Sequence, residues 1–326
     1  MWWQSRFLFE KNAVKQPLLT SKQTMRRVGC IVLLLLLIFF MGFNRFDYNK
    51  INTIISFGDS YTTRYLDMDS LTYACRNCTS AGGPNWVVYL TDTTEWISWN
   101  FAYNSAPVSN HLVNQTSTVT DMRIQVQALY PRLFVSPNER TASIIQKVYG
   151  NKKRTAQSTL VTFWVGINDI DLTYDWEDTT DLDVRIMNRY AYLVEQLIQQ
   201  GERQFMFINV PPIDRAPLWY HTLHKQRIHK RVLEFNHKLT RMIHSLRKTH
   251  PHMSWIEYDA WGLFHTLLDN PDKYNITNID SFCPDWEHPI ERECKPIEEY
   301  FWLNDLHPTF HVHRMLAEDI QKIINK

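Results

Sequence analysis

The sequence predicts an α/β protein with a parallel sheet that is covered by helices on both faces. Across residues 53–326, apolar runs rich in β-branched and aromatic residues alternate with segments of helical periodicity. The same stretch contains no Pro/Gly/Ser-rich linker, low-complexity tract or internal repeat. We therefore expect residues 53–326 to fold as one large domain.

The N-terminal region predicts a membrane anchor. Residues 28–43 are an uninterrupted apolar run, slightly shorter than the usual spanning helix. Lys and Arg are in excess over residues 1–27, which predicts a cytoplasmic tail, followed by a transmembrane signal-anchor at 28–43 and a short stalk at 44–52. The chain would then be a single-pass type II membrane protein of the secretory pathway, with a lumenal or extracellular domain. A cleaved signal peptide is the competing interpretation, but no small-x-small pattern follows the run.

The strands and helices of the domain follow from its periodicities. Nearly continuous apolar runs predict buried strands at 53–57, 159–165, 204–209 and 253–258. Apolar positions at helical spacing predict helices at 184–200, 225–247 and 309–324. Residues 104–158 are poorly periodic and indicate irregular structure with short helices.

Composition and cysteine usage narrow the possible functions. The 35 basic side chains nearly balance the 34 acidic ones, so nucleic acid is not an expected partner.

The cysteines of the domain suggest disulfides. Cys283 and Cys294 bracket a loop-like stretch, and we expect them to form a disulfide. Cys75 and Cys78 have the spacing of a redox or zinc pair, but no second pair at zinc spacing accompanies them, which favours a local disulfide or two unpaired thiols. Acceptor triplets for N-glycosylation start at Asn77, Asn114 and Asn275.

Four short motifs carry groups that suggest chemistry. They are 57–61 (FGDSY), the segment that begins at 100 (NFA), 166–169 (GIND) and 304–309 (NDLHPT). Ser60 and Asn168 each follow a predicted strand by three residues. Because reactive groups collect at the carboxyl ends of parallel strands, we expect these two residues to lie close together.

The residue types in these motifs are those of a serine ester hydrolase. Ser60 would be the nucleophile, in a turn near the start of a helix, where its own N–H points at the developing oxyanion. Asn168 would donate its side-chain amide to the same oxyanion. His307 would be the general base, because imidazole exchanges a proton near neutral pH. A turn or capping role for Ser60 and an Asx turn for Asn168 are the structural alternatives.

The four motifs together resemble those of the SGNH, or GDSL, hydrolase superfamily. Further segments are similar to fungal members, which are grouped with plant GDSL lipases and with the acetyl-removing carbohydrate esterases of family sixteen. These segments are 83–87 (GPNWV), Asn270-Pro271 with Tyr274, and Phe301-Trp302. The resemblance covers essentially all of residues 53–326. It implies a three-layer α/β/α sandwich with a flavodoxin-like parallel sheet, and neither a metal nor an organic cofactor.

Two positions depart from the family pattern. Ser105 stands where the family has a glycine whose backbone N–H helps to bind the oxyanion, so the implied oxyanion hole is made by Ser60, Ser105 and Asn168. The family acid lies three residues before the histidine, and Asn304 occupies that position here. We expect Asp305 to orient His307, with Asn304 or a backbone carbonyl as the alternatives.

The predicted activity is serine ester hydrolysis through an acyl-enzyme, on O-acetyl or other short acyl esters of carbohydrates. One alternative is a lipid esterase or an acyltransferase that uses the same site. Another is a catalytically inactive, membrane-tethered protein that binds glycan or lipid.

Overall fold

The computed structural model describes residues 47–325. The predicted cytoplasmic tail, the apolar run at 28–43 and the first residues of the predicted stalk lie outside this range. None of the helices within residues 47–325 combines the length and the apolar character needed to cross a bilayer.

A parallel sheet forms the centre of the domain, as predicted. In chain order, the strands are β1 (Thr53–Gly58), β2 (Leu66–Asp67), β3 (Thr72–Tyr73), β4 (Ile97–Asn100), β5 (Thr159–Trp164), β6 (Gln204–Ile208) and β7 (Ser254–Tyr258). β2 and β3 form a separate antiparallel hairpin, and the other five strands form one sheet in the order β4-β1-β5-β6-β7, with every pair parallel. Counted among the strands of that sheet, this is the flavodoxin-like order 2-1-3-4-5.

All three predicted helices are present, at Thr180–Gln199, Lys225–Thr249 and Phe310–Ile324, and the described chain has further, mostly shorter ones. In chain order, the helices are α1 (Trp86–Thr94), α2 (Asn110–Val113), α3 (Met122–Ile124), α4 (Tyr130–Phe134), α5 (Glu139–Tyr149), α6 (Ile167–Asp171), α7 (Thr180–Gln199), α8 (Pro217–Tyr220), α9 (Lys225–Thr249), α10 (Ala260–Asp269) and α11 (Phe310–Ile324). A π-helical segment, Gln125–Leu129, joins α3 to α4. Short 3₁₀ turns occur at Tyr48–Lys50, Ile213–Arg215, Pro271–Tyr274 and Ile297–Glu299.

Consecutive aromatic residues of β5 show how helices cover both faces of the sheet. The ring of Phe163 contacts Tyr190 of α7, with 5.6 Å between the ring centroids. The ring of Trp164 points to the opposite face, where it contacts Trp86 of α1 at 6.3 Å and Phe264 of α10 at 6.4 Å. Because neighbouring side chains of a strand alternate between faces, these contacts place helices on both sides of the sheet.

Two elements near the site were not predicted. β4 is a short edge strand whose first two residues are only half-buried, so it lacks the continuous apolar run of its neighbours. α1 ends in Thr-Asp-Thr-Thr, which has low helix propensity. Its first turn is nevertheless held by Asn85, whose Oδ1 accepts from the Val88 N–H at 3.3 Å, and its apolar residues are buried. Tertiary packing therefore overrides local propensity in α1.

Both cysteine pairs of the described chain are disulfides. Cys283 is bonded to Cys294, as predicted, and Cys75 is bonded to Cys78, which resolves the choice left open by the sequence in favour of the local disulfide. The acceptor residues Asn77, Asn114 and Asn275 are all exposed.

Candidate active site

The end of β1 can be made only with glycine. Gly58 has φ +149°, and a Cβ at this position would lie 2.1 Å from the carbonyl oxygen of Trp164 in β5. The Gln125 side chain binds both backbone groups of Gly58: its Oε1 accepts from the Gly58 N–H at 2.9 Å, and its Nε2 donates to the Gly58 carbonyl at 2.8 Å. Gln125 lies in the π segment of the poorly periodic region, and the sequence does not predict its role. Its two hydrogen bonds fix the strand end from which Ser60 emerges.

A tight turn after Gly58 presents Ser60. The Asp59 carbonyl accepts from the N–H groups of Thr62 and Thr63, each at 3.0 Å, and Asp59 Oδ1 accepts from the Tyr61 N–H at 3.0 Å. Ser60 lies in this turn, half-buried. The expectation that Ser60 stands near a helix start is wrong: the bonds to Asp59 close a turn, and an irregular segment follows it.

Two asparagines from the sequence motifs hold this turn from outside. Asn85 Nδ2 donates to the carbonyls of Thr62 and Thr63 at 2.9 Å each. Asn100 Nδ2, at the end of β4, donates to the same Thr62 carbonyl at 2.7 Å. The asparagines of the GPNWV and NFA motifs therefore support the serine turn.

Ser60 and His307, 247 positions apart in the chain, form a direct hydrogen bond of 2.7 Å between Ser60 Oγ and His307 Nε2. On the other side of the ring, His307 Nδ1 lies 3.0 Å from Asn304 Oδ1. Asp305 is exposed, and its carbonyl accepts from the Leu218 N–H at 2.8 Å. The structure therefore corrects the expectation that Asp305 orients the histidine, because the side chain that contacts Nδ1 belongs to Asn304.

The loop itself fixes the orientation of the Asn304 amide. Asn304 Oδ1 accepts from the backbone N–H groups of Leu306 at 3.0 Å and of His307 at 2.8 Å, so the atom at this position must be the oxygen. An oxygen can only accept from Nδ1, which must then carry the proton. The lone pair of Nε2 is left facing Ser60, as a general base requires.

The imidazole is held in its neutral form by burial. Burial lowers the pKa of His307 to about 4, and the nearby negative charge of Asp305 opposes this shift. The ring packs beside Tyr61, with 5.6 Å between centroids, and the Tyr61 hydroxyl donates to the Leu306 carbonyl at 2.6 Å. At neutral pH, His307 is therefore ready to accept a proton.

Asn168 lies next to the segment that carries Ser105. Gly166, with φ +131°, makes the sharp turn from β5 into α6, and a Cβ there would lie 2.5 Å from the ring of Phe235. Asn168, in the first turn of α6, donates from Nδ2 to the Ala106 carbonyl at 3.2 Å. An amide has two N–H donors, so a second one is available for a ligand. Ser105 itself has φ +60°, a left-handed conformation that glycine adopts more easily than serine.

Hydrogen bonds connect these segments to β1, the strand that precedes Ser60. The Tyr103 N–H donates to the Gly58 carbonyl at 3.2 Å, and the Asp59 N–H donates to the Trp164 carbonyl at 3.3 Å. The segments that carry Ser60, Ser105 and Asn168 thus meet at the carboxyl end of β1. β1 lies between β4 and β5, where the strand order reverses, which is the usual position of a ligand crevice in open α/β sheets.

Two carboxyl groups are buried beneath the site. Burial raises the pKa of Asp59 to about 8, and the neighbouring charge of Asp169 adds to this shift. Burial also raises the pKa of Asp169 to about 7, although both of its oxygens accept from the Val108 N–H at 3.1 Å. Asp59 Oδ2 has no hydrogen-bond partner within the described chain. Asp59 is therefore mainly protonated at neutral pH.

Comparison with known proteins identifies the family to which this chain belongs. The sequence profile of GDSL-like lipases and acylhydrolases matches residues 54–320. An acetylesterase of Thermothelomyces thermophilus is 25% identical over 82% of this chain and 86% of its own length. A GDSL esterase/lipase of Arabidopsis thaliana is 24% identical over 41% of this chain and 40% of its own length. Among solved structures, an acetylxylan esterase from Geobacillus stearothermophilus aligns with a TM-score of 0.44 at 13% identity, over 85% of this chain and 97% of the other.

Proposed function

Because this chain belongs to the GDSL-like lipase/acylhydrolase family and is a carboxylic ester hydrolase, we propose that Ser60 is its nucleophile and short acyl esters of carbohydrates are its substrates. The observation that carries the assignment of Ser60 is the 2.7 Å hydrogen bond between its Oγ and His307 Nε2. Among the described residues, no group of three or more His, Cys, Asp or Glu side chains could hold a metal ion.

The proposed reaction has two steps. Ser60 Oγ attacks the ester carbonyl while His307 Nε2 removes the hydroxyl proton, and the N–H groups of Ser60 and Ser105 and the Asn168 amide bind the oxyanion. The imidazolium then protonates the leaving alcohol, and an acyl-serine remains. In the second step, His307 takes a proton from water while the water oxygen attacks the acyl carbon. The bond from the acyl carbon to Ser60 Oγ then breaks, the imidazolium returns its proton to Oγ, and the acid is released.

Two observations favour a small acyl group on a sugar. The relative from Thermothelomyces thermophilus, which aligns with most of the chain, is an acetylesterase. In addition, Ser105 has a side chain where the family pattern has a glycine, and this extra bulk would favour a small acyl group. We therefore propose acetyl esters ahead of long-chain lipid esters.

The location of the protein is a second part of the proposal. We propose that residues 28–43 anchor a lumenal or extracellular domain, as the charge distribution indicates. The described chain enters at the amino end of β1, where the Asn52 side chain donates to the Lys153 carbonyl at 3.2 Å. Ser60 lies beyond the other end of this six-residue strand, ~20 Å away.

A fluorophosphonate probe tests the nucleophile, because it labels only activated serines. We expect the wild type to be labelled and Ser60→Ala to be unlabelled. Absence of labelling in the wild type would instead favour the inactive binding protein.

Hydrolysis of p-nitrophenyl acetate without hydrolysis of long-chain esters would support the preference for short acyl groups, and the opposite profile would reject it. Formation of an acetylated acceptor in place of free acetate would identify a transferase.

A further inference from the structure

Two neighbouring cationic hollows lie along α7, apart from the residues of the proposed active site, and together they are called the groove. One part, with a volume of about 340 Å³, lies between α7 and α9 and is lined by Asn188, Lys238 and Arg241 among others. The other part, of about 570 Å³, is lined by Arg185, Asn188, Arg189 and Tyr192 of α7 with Leu112 of α2. The two parts meet at Asn188. No Asp or Glu lines either part.

Three arginines of this groove lack acidic partners. Within residues 47–325, Arg185, Arg189 and Arg241 form no ion pair within 4 Å, although many other basic residues of the domain do. Arg185 and Arg189 are four residues apart on one helix, a spacing at which like charges repel. A bound anion would relieve this repulsion.

The fourth cation of the groove is only partly neutralised. Lys238 Nζ lies 3.0 Å from Asp183 Oδ2, but the same carboxylate also receives hydrogen bonds of 2.7 and 2.9 Å from Arg231. Lys238 thus shares Asp183 with Arg231, although Arg231 also lies 3.9 Å from Glu234 Oε2. The positive charge of the groove therefore comes mainly from Arg185, Arg189 and Arg241, whereas the whole chain has a formal net charge of only +1.

Tyr192 adds an aromatic surface to the groove. Its side chain is 52% exposed, and the Arg189 guanidinium lies 5.9 Å from its ring centroid. An exposed tyrosine ring offers a flat face to a pyranose ring, while the planar arginine fork suits carboxylate and sulfate oxygens. We propose that this groove is an accessory site for an acidic polysaccharide, bearing uronate or sulfate groups, that binds independently of ester hydrolysis.

The shape of the groove favours this ligand over other polyanions. The cations line two open hollows, which a flexible polymer chain can follow. Single-stranded nucleic acid is usually held by several aromatic rings that stack on successive bases. Here, Tyr192 is the one aromatic residue that lines the groove.

Direct binding by the full-length chain tests the proposal. The probes are polygalacturonate and dextran sulfate, with unsubstituted dextran, anionic phosphatidylserine vesicles and oligothymidylate as comparisons. We expect binding to at least one acidic polysaccharide, weakened by salt because the contacts are exposed charges. The triple variant Arg185→Glu, Arg189→Glu, Arg241→Glu should weaken it by about tenfold or more.

A matched triple variant controls for net charge. Lys147→Glu, Arg292→Glu and Lys322→Glu change the charge equally at exposed positions that do not line the groove, and should leave binding unchanged. Should the groove variant fail to fold, the triple replacement with Gln repeats the test. Both triple variants should retain hydrolysis of p-nitrophenyl acetate, and Ser60→Ala should retain binding, so that loss of catalysis and loss of binding are distinguishable. Equal weakening in both triple variants, no binding to either acidic polysaccharide, or binding confined to vesicles or oligothymidylate would overturn the proposal.

Discussion

Replacing Asn304 with aspartate should make the proposed enzyme faster and shift its pH profile. Asn304 Oδ1 accepts from two backbone N–H groups and lies 3.0 Å from His307 Nδ1. A carboxylate of nearly the same shape can keep all three hydrogen bonds. Asn304→Asp therefore changes the charge beside the imidazole with little change in its position.

The size of the effect follows from the strength of one hydrogen bond. A bond to a charged acceptor is worth about 1–1.5 kcal/mol more than a neutral one, which raises the pKa of His307 by roughly one unit. Because His307 must be neutral to act as a base, the acidic limb of the rate profile should move up from about 4 in the wild type to roughly 5 in the variant. His307 becomes an imidazolium in the transition state. If the charged hydrogen bond stabilises that state by the full extra ~1–1.5 kcal/mol, kcat would rise by up to about tenfold.

The assay is kcat and kcat/KM for p-nitrophenyl acetate between about pH 3 and pH 9, with two control variants. Asn304→Ala removes the acceptor of all three N–H groups, and we expect a loss of about 100-fold in kcat. Asp305→Asn removes a charge that raises the pKa of His307, so the acidic limb should move slightly lower and kcat should change by less than about tenfold. An unchanged profile for Asn304→Asp, together with a large loss in Asp305→Asn, would refute the assignment of Asn304.

Three further predictions concern the residues that support the proposed nucleophile, Ser60. Gly58→Ala should lower the free energy of unfolding in denaturant titrations by about 3 kcal/mol or more, since its Cβ would lie 2.1 Å from the Trp164 carbonyl oxygen; an unchanged midpoint would contradict this. Gln125→Leu leaves both backbone groups of Gly58 without these partners, and should cost about 2–3 kcal/mol of stability and reduce kcat; activity and stability equal to wild type would rule out this role. The pKa of Asp59 is raised by folding from 3.8 to about 8, so the wild type should lose stability as pH rises through this window. Asp59→Asn should flatten that slope in thermal melts, and an identical slope would exclude Asp59 as its source.

The sequence predicts the centre of the fold well because its strands are buried on both faces. β1, β5 and β6 appear as continuous apolar runs, and the runs end within one residue of the strands in the structure. The long helices α7 and α9 are recognisable from apolar stripes that repeat at helical spacing. Neither pattern reveals β4 or α1. An edge strand such as β4 need not be apolar throughout, and α1 is stabilised by packing and by its Asn85 cap.

The site could be predicted in part because its residues lie in short motifs at strand ends. Ser60 and His307 were identified from such motifs, and the hydrogen bond between them joins the first and last of the four. Gln125 could not be found in this way. Its role depends on a side chain reaching 67 positions along the chain to the backbone of Gly58, and no local spacing encodes that contact.

The choice between Asn304 and Asp305 shows where chemical reasoning on residue types alone fails. A carboxylate is the better partner for an imidazolium, which favoured Asp305. The backbone turn instead determines which side chain contacts His307 Nδ1. In this turn, the N–H groups of Leu306 and His307 both donate to the side-chain oxygen of residue 304. Any oxygen-bearing side chain at 304 that makes these two bonds also meets Nδ1, whereas the adjacent Asp305 side chain lies exposed. The loop backbone therefore selects the residue that orients His307, and the identity of that residue sets only the charge beside the ring.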